Sequence, residues 1–146
     1  SLINTLMGMK IDIHTRRPIL ANNTGGLSGP AVKPVAVRMI HEVHEAVKLP
    51  LIGMGGVMSG EDVIEFMLAG ASLVALGTGL FVKPDLILPV KQEIKEYMER
   101  YNIEDINSII GTAELVTKKR VVSSSFLRIM RNFKIKKGFL GAYVVL

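Results

Sequence analysis

Two stretches decide the fold: Leu51-Ile52-Gly53-Met54-Gly55-Gly56-Val57, and further on Ser72-Leu73-Val74-Ala75-Leu76-Gly77-Thr78. Each is a short run without alternation of polar and apolar residues, the pattern of a parallel strand buried on both faces. Each also ends in glycine. Between them Ser59 can cap a helix, and Glu61 and Asp62 fall in its first turn, where the helix dipole favours acids. Val63, Phe66, Met67 and Leu68 supply the apolar side of that helix, and Gly70 stops it. The stretch therefore predicts strand, helix, strand.

The same alternation extends in both directions. Upstream, Pro34 opens a helix at a position where its missing N–H costs little. Val35, Met39, Ile40, Val43 and Val47 recur there at helical spacing, with Arg38, Glu42 and Glu45 between them, and Pro50 ends the segment. Downstream, a helix is predicted over Leu86–Tyr101, with Ile87, Val90, Ile94 and Met98 on one face, and a last short helix over Ile106–Ile110. At the N-terminus Leu2-Ile3-Asn4-Thr5-Leu6 reads as a further buried strand that reaches an edge. A long loop separates it from Pro34, marked by Gly8, Arg16-Arg17-Pro18 and the run Asn22-Asn23-Thr24-Gly25-Gly26-Leu27-Ser28-Gly29-Pro30. Long loops in compact domains are usually functional. The order implies an α/β fold with parallel strands. Three strands cannot close a barrel, and the pattern is read as part of something larger.

Composition fits a globular chain of one domain. Of 146 residues, 49% are hydrophobic and 21% charged, which argues against disorder. No apolar run is long enough to span a membrane, and the first residues do not read as a secretory leader; a cytoplasmic setting is expected. Cysteine is absent, which leaves no disulfide framework, thiolate metal site or cysteine nucleophile. The net charge of +5 is unevenly divided. Residues 1–117 carry ten Lys/Arg against thirteen Asp/Glu, or −3, whereas residues 118–146 carry eight Lys/Arg and no acid, or +8. The body is mildly acidic, so no nucleic-acid ligand is expected of it.

The two glycine turns are the first chemical signal. Gly55-Gly56 closes one strand-to-helix turn and Gly77-Thr78 the next, twenty-two residues on. A (β/α)₈ barrel gathers its functional loops at the C-terminal ends of its strands, and the last two such loops commonly hold a phosphate. Glycine lets backbone N–H groups approach an anion without a Cβ in the way, a helix N-terminus adds a favourable dipole, and Thr78 offers a hydroxyl. One Gly-Gly alone is more economically read as a tight turn. Two turns at consecutive strand ends favour a phosphate cradle, without choosing the molecule that carries the phosphate.

Ile3-Asn4-Thr5-Leu6, Pro18 to Pro34 with its Thr24-Gly25-Gly26-Leu27-Ser28-Gly29-Pro30-Ala31 core, Ile52 to Val57, Ala69-Gly70-Ala71 and Gly77-Thr78 occur in an order and spacing that closely resemble class 1B dihydroorotate dehydrogenase. The resemblance covers roughly residues 1–115 and implies the C-terminal part of a TIM (β/α)₈ barrel, incomplete on its own. It also implies FMN as cofactor and oxidation of dihydroorotate to orotate in pyrimidine biosynthesis. NAD would be the final acceptor, reached through an iron–sulfur flavoprotein subunit, and the catalytic subunits would pair as a homodimer. By position, Asn4 and Thr5 match the residues that hydrogen-bond the pyrimidine, and Ile3 and Gly29 match positions against the flavin. Gly55, Gly56, Gly77 and Thr78 match the cradle of the FMN phosphate. The family's catalytic base is a cysteine and a lysine also approaches the flavin; neither has a counterpart in this sequence. No catalytic residue is therefore assigned, and the chain alone is expected to be inactive. A flavin domain of dihydropyrimidine dehydrogenases shares part of the pattern and is the alternative enzyme reading.

Other residues carry less. His41 and His44 lie three apart on a predicted helix, but no further metal ligand accompanies them, and they are read as solvated polar-face residues. Ser28 between glycines lacks the strand-turn-helix setting of a nucleophile elbow and is read as a loop hydrogen-bonder. The methionines sit at apolar positions that suit core filling. Residues 118–146 fall outside the resemblance and interleave basic with apolar residues. Such a tail suits an anionic membrane or weak nucleic-acid contact in a non-catalytic fragment, but it is read here as an extension foreign to the family.

Overall fold

Strands and helices do alternate through the middle of the chain. The computed structural model describes residues 2–3 and 6–114; the tail assigned to residues 118–146 lies outside them. In order come β1 (Leu6–Gly8), β2 (Ile11–Asp12), β3 (Arg17–Pro18), β4 (Gly25–Leu27), α1 (Lys33–Ala46), β5 (Ile52–Met54), α2 (Gly60–Leu68), β6 (Leu73–Ala75), α3 (Gly79–Val82) and α4 (Ile87–Arg100). Two 3₁₀ turns, Pro30–Val32 and Ile106–Ile109, precede α1 and follow α4.

The unit read from the opening stretches is present. β5 and β6 pair in parallel, Ile52 opposite Leu73 and Met54 opposite Ala75, as a strand–helix–strand crossover requires. Ser59 caps α2 in a full capping box: its Oγ accepts from the Asp62 N–H while the Asp62 carboxylate accepts from the Ser59 N–H. Both ends of the motif satisfy donors that a helix start leaves open. Gly70, at φ +117°, supplies the left-handed residue that ends the helix.

Packing concentrates on α2. Val63, Ile64, Phe66 and Met67 are buried, with Phe66 fully so, against Ala36 and Ile40 of α1, Ala71 beside β6, and Leu86 and Val90 of the α4 segment. The β5 strand runs close over this layer, because a Cβ on Gly53 would stand 2.7 Å from the Phe66 ring. Burying a Phe or Ile side chain contributes about 1.5–3 kcal/mol, so this layer dominates the stability of the described unit. On α1 the predicted Ile40 and Val43 do pack on the core, joined by Val32 and Ala36, which were not predicted; Val47 is exposed because the helix ends at Ala46, before Pro50. In α4 the buried stripe is Leu86, Val90, Ile94 and Tyr97, while Ile87 is exposed, one helical step off it.

Three expectations are modified. The predicted loop between residues 8 and 30 is mostly turns, but it also carries two short antiparallel ladders, β1 with β4 and β2 with β3. The Asp12 carboxylate accepts from the His14 and Thr15 N–H groups, and Arg16 takes φ +58°, which turns the inner hairpin. Of the expected strand over Leu2–Leu6, Leu6 opens β1, which pairs with β4 rather than with the parallel strands, while Asn4 and Thr5 lie outside the described residues. β5 and β6 are also less buried than expected: Ile52 and Leu73 remain exposed because helices cover only part of this two-stranded sheet.

Candidate functional site

Three loops meet where β5 and β6 end. At Gly55 and Gly56 the chain turns through φ +111° and +79°, conformations that cost a side-chain-bearing residue about 1–2 kcal/mol. Space reinforces the requirement at Gly56. A Cβ there would lie 2.7 Å from the Gly29 carbonyl oxygen and 2.9 Å from Lys33 Cβ. The turn after β5 is thus laid directly on the loop that carries Gly29, itself at φ +92° with open space beside it. The third loop follows β6 and is backed onto the first, since a Cβ on Gly79 would meet Met58 Sδ at 2.9 Å and the Val57 carbonyl at 3.1 Å.

Between these loops lies a cavity of 410 Å³ bounded by Ile3, Ser28, Gly29, Gly55, Gly56, Gly77 and Thr78, with apolar wall from Leu27, Val32, Met54 and Leu76. That volume and mixture are typical of small-molecule sites, which run to about 300–1,000 Å³. All six residues matched to cofactor positions therefore share one cavity. Asn4 and Thr5, matched to substrate, lie outside the described residues. Ile3, immediately before them, is on the cavity wall and within 3.2 Å of where a Gly55 Cβ would stand.

The wall is equipped for an anion by its backbone. Among the described residues, the N–H groups of Gly56, Gly77 and Thr78 donate to no other group, and Thr78 makes no side-chain bond at the start of α3. Gly77 has nothing within 4 Å of a would-be Cβ, so its missing side chain opens onto free volume. The dipole of α2 contributes less than its position suggests. Two of its first three amides are already taken: Gly60 N–H by the Glu93 carboxylate at 2.5 Å, and Asp62 N–H by Ser59. Any anion here would be held by loop amides and Thr78.

Ser28 lines the cavity, and its hydroxyl forms no hydrogen bond among the described residues, unlike the loop hydrogen-bonder expected of it. His44 is not a solvated polar-face residue either. Its ring fills a slot between Gly70 and Gly111, where a Cβ on either glycine would collide with it. The histidine is a packing residue at the end of α1, and the two positive-φ glycines make its room. Val57, Met58 and Gly79 also line the cavity and were not singled out from sequence; only the third has a readable signal, as the residue after the Gly77-Thr78 pair.

This geometry defines an α/β chain with one glycine-lined small-molecule cavity at the ends of parallel strands. The family model described as dihydroorotate dehydrogenase matches residues 1–98, and the chain belongs to that family. Among curated relatives, the dihydroorotate dehydrogenase B (NAD(+)) catalytic subunit of Alkaliphilus oremlandii is 62% identical over 111 residues, covering 76% of this chain and 37% of that protein. The subunit of the same description from Geobacter sp. (strain M21) is 57% identical over 115 residues, covering 79% and 38%. The chain thus spans little more than a third of the length of these relatives. A solved structure of DHODH from Eimeria tenella in complex with ferulenol superposes with a TM-score of 0.63 at 24% identity, over 76% of this chain and 30% of that one. That likeness extends the family assignment to the fold.

Proposed function

We propose that this chain supplies the FMN-gripping part of a dihydroorotate dehydrogenase, a (β/α)₈ barrel enzyme that oxidises dihydroorotate to orotate. The observation that carries the reading is the convergence of Ile3, Gly29, Gly55, Gly56, Gly77 and Thr78 on one cavity. The residues fit the cofactor: a phosphate needs close backbone donors, and the glycines at 56 and 77 provide them without a Cβ between. Leu27, Val32, Met54 and Leu76 give the apolar surface that an aromatic ring system needs. FMN, when bound, would supply the two-electron sink.

The roles of this chain's own residues follow. The N–H groups of Gly56, Gly77 and Thr78, with the Thr78 hydroxyl, hold the phosphate, while Gly29 and Ile3 bound the remainder of the cofactor. Asn4 and Thr5 orient the pyrimidine, the amide both donating and accepting and the hydroxyl adding a donor. The sequence holds no cysteine, so a cysteine base must come from outside these residues. NAD as final acceptor, an iron–sulfur flavoprotein subunit and pairing of catalytic subunits complete the proposal; the relatives' name, dihydroorotate dehydrogenase B (NAD(+)), catalytic subunit, supports the acceptor and a further subunit, and the other two rest on the family resemblance.

The experiment is an FMN titration of the chain followed by addition of dihydroorotate. Weak, saturable FMN binding with no bleaching of the flavin on adding dihydroorotate is expected. Bleaching by the chain alone would refute the division of labour, and absence of any FMN binding would refute the cradle.

A further inference from the structure

We propose that Lys33 and Asp62 form a positioning pair that fixes the Gly29 loop against the Gly55-Gly56 turn and thereby sets the grip on phosphate; this rests on the FMN reading of the cavity. A lysine beside glycine-rich phosphate loops is ordinarily read as an anion ligand. Lys33 is placed otherwise. Its ammonium lies 2.5 Å from Asp62 Oδ1 and 2.6 Å from Glu65 Oε2, and Lys33 is not among the residues that line the cavity.

Asp62 carries the connection onward. Its second oxygen accepts from the Met58 N–H at 2.8 Å and the Ser59 N–H at 3.0 Å. One carboxylate therefore ties the first residue of α1, one 3₁₀ turn after Gly29, to the backbone just after Gly55-Gly56. The two loops touch at Gly56, against the Gly29 oxygen and the Lys33 N and Cβ. Charge supports the same picture. Bonds to Asp62 and then Glu65 hold the Lys33 ammonium above its ordinary value. Burial alone would raise the Asp62 carboxyl, but the bonds from Lys33 and the Met58 N–H together bring it below its ordinary value. Both groups are ionised at neutral pH, and charge-assisted bonds of this kind are the stronger ones. The cation is spent on holding backbone rather than on ligand.

Hydrogen exchange in the FMN-free chain and FMN affinity, measured on Lys33→Met, Asp62→Asn, the double variant and Lys33→Arg, test this. Lys33→Met is expected to accelerate exchange of the Met58 and Ser59 amides, which it does not touch, and to weaken FMN about tenfold. The double variant should be no weaker than the weaker single, because the two residues act through one connection. Lys33→Arg should restore both readouts, since a guanidinium can bridge two carboxylates. Where Lys33→Met does not fold, Glu65→Gln loosens the same ammonium and should show the exchange change at smaller size. A tenfold loss from Lys33→Met that persists in the Asp62→Asn background would make Lys33 a direct ligand and overturn the proposal. Unchanged exchange and affinity would overturn it as well. Faster Met58 and Ser59 exchange in a chain that binds no FMN would keep the loop connection and remove its flavin role.

Discussion

The two glycine turns look alike in sequence and differ in physical cause. Gly55 and Gly56 sit at positive φ, and Gly56 is pressed on the Gly29 carbonyl. Gly77 has neither a left-handed backbone nor a neighbour within 4 Å of a would-be Cβ. The first turn needs glycine whether or not anything binds. The second does not need it for folding, so its glycine is the better witness for a ligand. A motif's repetition suggests function, but only the member that the fold leaves unexplained can argue for it.

Substitution should separate the two turns. Gly56→Ala must place a Cβ 2.7 Å from a backbone oxygen at φ +79°, and should lose roughly 2–4 kcal/mol of stability in urea unfolding. Gly77→Ala should stay within about 0.5 kcal/mol of the parent yet weaken FMN about tenfold by crowding the phosphate. Equal stability losses at both sites would erase the distinction. Asp62→Asn should cost about 1 kcal/mol at neutral pH through its weakened capping box and its lost charge opposite Lys33. The sign of the pH effect follows from the lowered folded-state Asp62 value: its contribution is present above the ordinary aspartate range and is lost as pH falls through the folded value. The gap between parent and Asp62→Asn should therefore close on acidification, as measured by unfolding at stepped pH. Thr78→Val, which removes one hydroxyl, should weaken FMN about threefold with stability unchanged.

Much of this was legible because it is local. The capping box at Ser59 and Asp62, the stop at Gly70, and the β5–α2–β6 order are written within spans of a few residues each. The cavity's glycines were legible too, since a strand followed by glycine marks its own end. What escaped depends on partners distant in the chain. β1 to β4 are two or three residues long and show no alternation, so their register is set by pairing across up to about twenty positions. Lys33 meets Asp62 twenty-nine residues away. His44 is polar in sequence, and only the absence of Cβ atoms at Gly70 and Gly111 gives it a packed place. The helix faces were legible at Ile40, Val43, Val90 and Ile94 and missed at their ends, where Val32 and Leu86, ahead of the helices proper, joined the buried stripe in place of Val47 and Ile87.

The claim that these loops grip a flavin phosphate is tested most directly by comparing FMN with riboflavin, which differs only in lacking that phosphate. Titrating each into the chain while following backbone amides by NMR reads both affinity and place. FMN is expected to bind more tightly, with the largest shifts at Gly56, Gly77 and Thr78. Equal affinity for the two, or shifts that leave those three amides unmoved, would contradict it.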